Sequence, residues 1–152
     1  MAVQPTRPLV LTAAQHVLLG ELVEIMGLIE DLLIESAERV DSVAAAKLRK
    51  LTAAPQADEW VKAITGKIND PSAAALLSAA QLELAQVAED RNDFNHALYA
   101  GVYVRGYVQP GYQATTATRS KTGNSRSTCE LAKIRDRAAA LSCVVDTIAD
   151  SI

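Results

Sequence analysis

The chain of 152 residues is poor in aromatic residues, glycine, proline and cysteine. Its apolar residues are mostly Ala, Leu, Val and Ile, and this composition favours packed helices over sheets. The length suits one domain with its own core, which needs no metal or disulfide to fold. We therefore expect a single all-α domain, in which the one tryptophan, Trp60, buries its ring.

Other missing features bear on compartment and chemistry. No apolar run approaches the roughly 20 residues of a membrane span, and the N-terminus lacks the pattern of a secretion signal. Cys129 and Cys143 fall on one predicted helix, about 21 Å apart, which excludes a disulfide between them. His16 and His96 are too distant in sequence for clustered zinc ligands. We expect a cytoplasmic protein with free thiols and no membrane association, metal or cofactor.

A large excess of one charge is also missing, since the net charge is −3. Any site for a polyanion must therefore be a local patch. Residues 94–129 contain no acidic residue and include four basic ones: Arg105, Arg119, Lys121 and Arg126. This interval is either a solvated basic loop or a patch that contacts phosphates.

The first helix has the clearest pattern. Thr12 and Gln15 form a capping box, and apolar residues then recur at three- and four-residue steps as far as Val40. Gly20 and Gly27 interrupt this pattern, and we expect them to allow close packing of another helix. The preceding residues 1–11 have no period and are predicted to form a flexible arm.

Two shorter helices are predicted next. Asp41 can cap a helix that continues to about Ala53 and is stopped by Pro55. Asp58 can cap a further helix that ends before Asn69.

Two long helices are predicted in the second half. Asp70 followed by proline marks the start of a helix that continues to about Gly101. Ser127 and Glu130 form a capping box for the last helix. The apolar face of that helix consists of Leu131, Ile134, Ala138, Leu141, Val145 and Ile148.

The stretch between these helices, Val102 to Thr128, has no helical period and is rich in Gly, Thr, Ser, Tyr and Arg. It predicts either a β-hairpin, with residues 102–104 as one arm, or a mobile loop. Insertions of this length are more often functional or disordered than filler. The predicted organisation is an arm (1–11) and one helical domain (12–152) with an irregular insertion (102–128).

The end of the penultimate helix carries the residues best suited to chemistry. Five polar side chains are predicted on one arc: Arg91, Asn92, Asn95, His96 and Tyr99. Apolar residues predicted on the opposite side anchor the helix on the core: Val87, Phe94 and Leu98. The arc supplies a permanent cation, a group that titrates near neutrality and amide donors, which together suit a phosphodiester. Alternatively, the arginine and histidine satisfy polar needs at a helix interface.

Arg91-Asn92, three further residues and His96 resemble the R-x4-6-H motif of HEPN (higher eukaryotes and prokaryotes nucleotide-binding) domains, in which a polar residue follows the arginine. The surroundings are similar too. They comprise a long first helix with an acidic residue (Glu30), short middle helices, a long helix that ends in the motif, an irregular stretch and a closing helix. The resemblance implies a HEPN-like bundle of about five helices.

Many HEPN domains are metal-independent endoribonucleases that act as homodimers, some of them toxins with a cognate antitoxin or components of defence systems. The resemblance implies that His96 is the general base or acid and that Arg91 holds the phosphate, while Asn92 orients either group. Such catalysis requires the ribose 2′-hydroxyl, so DNA should not be cleaved. Further residues are predicted to bind RNA: Asn95, Tyr99, Arg105, Arg119, Lys121 and Arg126.

The chain departs from the family pattern directly after the motif histidine, where glycine is commoner and Ala97 stands here. Other HEPN domains keep the fold without catalysis. The alternative hypothesis is therefore a nucleotide-binding or dimerisation module. Of the tyrosines in the insertion, Tyr107 or Tyr112 is expected to stack on unpaired bases.

Overall fold

A computed structural model describes residues 13–97 and 128–152, together with four two-residue strands between them; side chains are described for 13–94 and 129–152. The described residues form five helices: α1 (Ala13–Val40), α2 (Ser42–Leu48), α3 (Ala53–Ile64), α4 (Pro71–Ala97) and α5 (Thr128–Asp150). The predicted all-α helical bundle is confirmed.

Side-chain caps at two helix starts agree with the sequence prediction. The Asp41 carboxylate accepts hydrogen bonds from the backbone N–H groups of Val43 and Ala44, at 2.9 and 3.1 Å. The Asp70 carboxylate accepts one from the N–H of Ser72 at 2.9 Å. These N–H groups have no acceptor within their own helix, so the short acidic side chains determine where α2 and α4 begin.

The predicted boundaries of the middle helices are wrong. The second helix ends at Leu48 and the third begins at Ala53. Pro55 lies in the first turn of α3, where a proline needs no hydrogen-bond acceptor, so it does not terminate a helix. Asp58 lies within α3 rather than at its start, and its carboxylate accepts a hydrogen bond from the Gln81 amide of α4 at 2.8 Å.

Short strands occur between α4 and α5. β1 (Tyr103–Val104) pairs antiparallel with β2 (Tyr107–Val108), and β3 (Ala114–Thr115) pairs antiparallel with β4 (Ser125–Arg126). Of the two interpretations of this stretch, these pairs favour the hairpin. The rest of the insertion and the predicted N-terminal arm lie outside the described residues.

Four helices surround the core as a ring. α5 packs against α1 on one side and α4 on the other, while α3 packs against the same two helices. The short α2 contacts α1 and α3. The N–H of Asn69, just before α4, donates to the carbonyl of Ser151, just after α5, at 2.8 Å, whereas Arg137 in the first half of α5 contacts Asp90 in the second half of α4. α4 and α5 are therefore antiparallel.

The core contains the side chains that the apolar pattern predicted. All six residues of the predicted apolar face of α5 are buried. Trp60 of α3 is fully buried, as expected, and its indole Nε1–H donates to Ser36 Oγ at 2.8 Å. The Ser36 hydroxyl donates in turn to the carbonyl of Leu32 at 2.7 Å, so the polar end of the ring is satisfied inside the core.

The two glycines of α1 do not have the packing role that we predicted. Gly20 and Gly27 are both exposed, and a Cβ placed on either would meet no atom within 4 Å. Neither glycine therefore permits a close approach of another of the described helices. Apolar residues on the other side of α1, including Leu22 and Ile29, make its contact with the core.

Candidate functional site

Arg91 lies on the core-facing side of α4, contrary to the sequence prediction. Val87 is four residues before it and Phe94 three residues after it, and both are buried. On a helix such residues lie within about 60° of Arg91, not opposite to it. Val87 and Phe94 anchor α4 on the core, as predicted. Because Arg91 lies on the same side of the helix, its side chain is mostly buried, and 24% of it remains exposed.

The Arg91 guanidinium has weak partners. Its Nη1 lies 3.9 Å from Glu30 Oε1 on α1, which is beyond hydrogen-bonding distance, and its Nη2 donates to the amide oxygen of Asn92 at 3.3 Å. Its Nε is buried and has no hydrogen-bond partner among the residues that the structure describes. A guanidinium can donate five hydrogen bonds, so this one retains unused capacity for an anionic oxygen.

The other residues of the motif lie at different angles around the axis of α4. Asn92 is exposed, and its amide oxygen remains beside the arginine. Asn95 and His96 continue α4, and a separation of five residues places the Cα of His96 about 140° around the helix from that of Arg91. The side chains of Asn95 and His96 lie outside the described side chains.

No described side-chain contact joins the predicted RNA-binding residues of the insertion to this site, although strand β3 contacts α4. Arg126 belongs to β4, where it is the partner of Ala114, and its side chain is not among those described. The remaining predicted residues lie outside the described part of the chain: Tyr99, Arg105, Arg119 and Lys121. Within the described residues, the structure thus brings together Arg91, Asn92 and Glu30.

A second charged cluster, which was not predicted from the sequence, lies between α4 and α5. Arg137 of α5 makes a two-point contact with Glu83, Nε to Oε1 at 2.7 Å and Nη2 to Oε2 at 3.0 Å. Its Nη1 donates to Asp90 Oδ2 at 3.0 Å, and the Gln86 amide donates to Asp90 Oδ1 at 3.2 Å. We call these four residues the Arg137 cluster. It fixes the rotation of α4 about its axis one residue before Arg91.

The two arginines of α5 are hydrogen-bonded to carboxylates. The hydrogen bonds that Arg137 donates to Glu83 are the main cause that raises its pKa, against an opposing effect of burial. The pKa of Arg135 is raised chiefly by its hydrogen bond to Asp136, then by the charge of that carboxylate and by the hydrogen bond to Glu21 of α1, against an opposing effect of burial. Both guanidinium groups are therefore committed to carboxylates within the bundle.

The sequence held one signal for the Arg137 cluster. Glu83 and Asp90 are seven residues apart, so two turns of helix bring them to one side of α4. Nothing local indicates that this side faces α5, because the register between two helices depends on how their apolar faces pack.

In the described part of the chain, α5 is bordered by a groove on the side of α4 and by another on the side of α1. One, of about 360 Å³, lies between α4 and α5 and has mainly apolar walls: Leu76, Ala79, Ala80, Ala140, Leu141 and Val144, with Glu83 and Arg137 also lining it. The other, of about 260 Å³, lies between α1 and α5 and includes Cys143 and Asp146. Neither groove is lined by Arg91.

Other predicted features can be checked on the described residues. Cys129 and Cys143 share α5, as predicted, and both are free and exposed. His16 is exposed on α1. Over the described part of the chain, no group of three or more His, Cys, Asp or Glu side chains is arranged to hold a metal ion. None of the described helices has both the length and the apolarity to cross a membrane.

Comparison of the chain with protein-family models, with curated proteins and with solved structures finds no match.

Proposed function

We propose that this chain is a HEPN-like, metal-independent endoribonuclease whose active site lies at the end of α4. The observation that supports the proposal most directly is the state of Arg91. Its guanidinium is partly buried, its Nε has no partner among the described residues, and its nearest carboxylate, Glu30, is 3.9 Å away. A guanidinium held in this way can donate hydrogen bonds to a phosphate oxygen.

In the proposed reaction the ribose 2′-oxygen attacks the adjacent phosphorus, and the bond from phosphorus to the 5′-oxygen breaks. Either His96 takes the proton of the 2′-hydroxyl and water protonates the leaving 5′-oxygen, or His96 gives a proton to that oxygen and water takes the 2′-proton. The products are a 2′,3′-cyclic phosphate and a 5′-hydroxyl, and no metal or oxidant takes part. A histidine in this role contributes about 10²- to 10⁴-fold in rate.

Arg91 stabilises the charge that builds on the phosphate oxygens as the bonds exchange. Partial burial strengthens this interaction, because a charge is less screened there than in bulk water. Asn92, whose amide oxygen accepts a hydrogen bond from Arg91, orients the guanidinium. Glu30 limits its motion without a direct hydrogen bond, so the phosphate does not have to displace a short ion pair.

The proposal includes partners that the resemblance implies. RNA is the substrate, a second copy completes a homodimer, and in a toxin system a cognate antitoxin protein would block the site. The protein acts in the cytoplasm. Asn95, Tyr99 and the basic residues of the insertion contact the RNA on either side of the cleaved bond.

The test is incubation of purified protein with end-labelled RNA in the presence of a chelator. Wild type is expected to cleave RNA but not DNA of the same sequence. Arg91→Ala and His96→Ala are each expected to lower the rate by at least about 100-fold, because each removes a group that acts in the transition state. The 2′,3′-cyclic phosphate end of the product is expected to resist alkaline phosphatase until mild acid has opened the ring.

Matched controls come from residues of the same type elsewhere. His16→Ala replaces the other histidine, which is exposed on α1, and Arg49→Ala replaces an exposed arginine paired with Glu38. Both are expected to retain activity and a wild-type circular dichroism spectrum. Cleavage by the two site variants at the wild-type rate would refute the nuclease proposal.

A second candidate is a non-catalytic nucleotide-binding module, favoured by the position of Arg91 on the core-facing side of α4. It predicts no turnover, together with a rise in melting temperature when a nucleotide is added. This rise should disappear in Arg91→Ala and persist in Arg49→Ala. Absence of both cleavage and a nucleotide-dependent shift would leave Arg91 as a structural residue.

A further inference from the structure

The groove between α1 and α5 combines an apolar floor with an open mouth. Its volume is about 260 Å³, and Leu28 and Leu32 of α1 face Ser142, Cys143 and Asp146 of α5 across it. Leu32 packs against the core, whereas Leu28 remains 52% exposed. An exposed leucine beside a recess provides the apolar part of a docking site for another molecule.

Unpaired carboxylates surround this groove. They are Glu24, Asp31 and Glu35 on α1 and Asp146 and Asp150 on α5, and all five residues are exposed. The three on α1 lie within about 60° of Leu28 around the helix axis, and Asp150 follows Asp146 by about one turn. Within the part of the chain that the structure describes, none of the five forms a salt bridge.

The arginines near this groove do not neutralise it. Arg135, toward one end, is already paired with two other carboxylates. Arg39, toward the other end, donates to the carbonyl of Ala149 at 3.1 Å and contributes a single positive charge. Arg49 is paired with Glu38 at 3.0 Å. The surface around the groove is therefore negative, with the apolar recess at its centre.

We propose that this groove binds a positively charged amphipathic helix of another protein. Apolar residues one turn apart on that helix fill the recess beside Leu28, and lysine or arginine residues on its two flanks meet the carboxylates of α1 and α5. Two adjacent helices form a groove into which a third helix can pack. The same carboxylates repel nucleic acid, an anionic membrane and a second copy of the chain, whose net charge is −3.

This inference goes beyond the proposed function and does not depend on it. Glu30, whose carboxylate lies 3.9 Å from Arg91, follows Leu28 by two residues. Two residues correspond to about 200° of rotation, so Glu30 lies on the opposite side of α1 from the groove. A helix bound in the groove leaves the end of α4 open. Binding is measured without RNA, so it can be present or absent whatever the outcome of the nuclease test.

The probe is a fluorescent 18-residue peptide of leucine and lysine, with the leucines at three- and four-residue steps. Its fluorescence anisotropy is followed as the full chain is added. A single helix buries less than a standard interface, so we expect a Kd of about 10 μM at low salt. Binding should weaken as salt is added, because exposed charges are then screened. A twin peptide with glutamate in place of lysine is expected not to bind at 100 μM.

Variants of the full chain test the carboxylates and the leucine separately. Asp31→Lys and Asp146→Lys are each expected to weaken binding at least about fivefold, since attraction becomes repulsion. Glu89→Lys, at an exposed position of α4, changes the net charge equally and should bind like wild type. Leu28→Asn is also expected to weaken binding about fivefold, whereas Leu82→Asn, at a leucine of α4 that is 74% exposed, should not. Circular dichroism verifies that each variant is folded.

The two thiols of α5 locate the bound peptide. Cys143 lines the groove, and Cys129 lies about 21 Å away along the same helix; both are exposed. Saturating peptide is expected to slow alkylation of Cys143 by iodoacetamide at least about fivefold and to leave Cys129 unchanged, as measured by mass spectrometry.

Three results would overturn the proposal. The first is no binding of the lysine peptide at 100 μM, or equal binding of its glutamate twin. The second is wild-type affinity in both Asp31→Lys and Asp146→Lys. The third is an unchanged rate of Cys143 alkylation at saturating peptide. If Cys143 became protected without peptide as the protein concentration rose, the groove would instead be assigned to a second copy, and the proposal would equally be wrong.

Discussion

Arginine side chains in the described bundle differ in how their guanidinium groups are satisfied. Arg137 contacts three carboxylate oxygens of Glu83 and Asp90, and Arg135 is hydrogen-bonded to two carboxylates. Arg91 instead has an amide oxygen at 3.3 Å and a carboxylate at 3.9 Å. The Arg91 side chain is 24% exposed, so its terminal Nη groups, unlike the buried Nε, can be reached from solvent. Among the described arginines of α4 and α5, Arg91 is therefore the one that we propose to hold a ligand.

Trp60 is the largest fully buried side chain, and its hydrogen bond to Ser36 is internal. Trp60→Phe leaves a cavity and removes the indole donor, so we expect the free energy of unfolding to fall by about 2 kcal/mol. Urea denaturation followed by circular dichroism measures the change. Ser36→Ala supplies the control: the double variant should lose less than the sum of the two single losses, because the residues are coupled. Additive losses would show that the hydrogen bond contributes nothing.

Among the helices, α1 has room for a stabilising substitution. Gly20 is exposed in the helix interior, and a Cβ added to it would have no atom within 4 Å, so alanine fits without strain. Gly20→Ala is expected to raise the free energy of unfolding by roughly 0.5–1 kcal/mol, since glycine loses more backbone entropy in a helix. The melting temperature and the urea midpoint report this change.

Gly66 provides the opposite case. Its φ of +76° lies in the left-handed region, just after the end of α3, so Gly66→Ala should lower stability by about 1 kcal/mol. If Gly20→Ala also lowered stability, the face of α1 that carries Gly20 would be covered by something other than solvent.

The two sides of α4 show how far a helical pattern can be interpreted. The start of α4 at an aspartate cap followed by proline was predictable, because both act on the adjacent backbone. The placement of Val87 and Phe94 opposite Arg91 was wrong, although the spacing itself puts the three residues together. The polar character of Arg91 suggests an exposed face. An arginine can also lie on the core-facing side of a helix, however, with its apolar stem buried and its guanidinium at the edge of the core.

At the scale of the whole molecule, α5 closes the ring of helices. It packs against both α1 and α4, and its apolar face is buried along its length. A chain that stops at residue 127 would expose the facing apolar surfaces of α1 and α4. We expect it to show no cooperative thermal unfolding. The free energy of unfolding of a small domain is only a few kcal/mol, and the loss of α5 removes a large share of the buried apolar surface that stabilises it.

Differential scanning calorimetry checks this expectation. A matched control is a chain with Ser151 and Ile152 removed, which keeps all of α5. It should retain a single transition. A cooperative transition in the chain without α5, near the wild-type temperature, would mean that α1 to α4 form a stable core on their own.

The sequence by itself determined the helical class, the caps of α2 and α4 and the buried face of α5. These features depend on neighbouring residues and on a period of about 3.6 residues, both of which are visible along the chain. The boundary between α2 and α3 and the pairing of Arg137 with Glu83 and Asp90 were decided only by tertiary structure. Each of them depends on how one helix is rotated and shifted against another, and that arrangement minimises exposed apolar area over the whole bundle rather than along one segment.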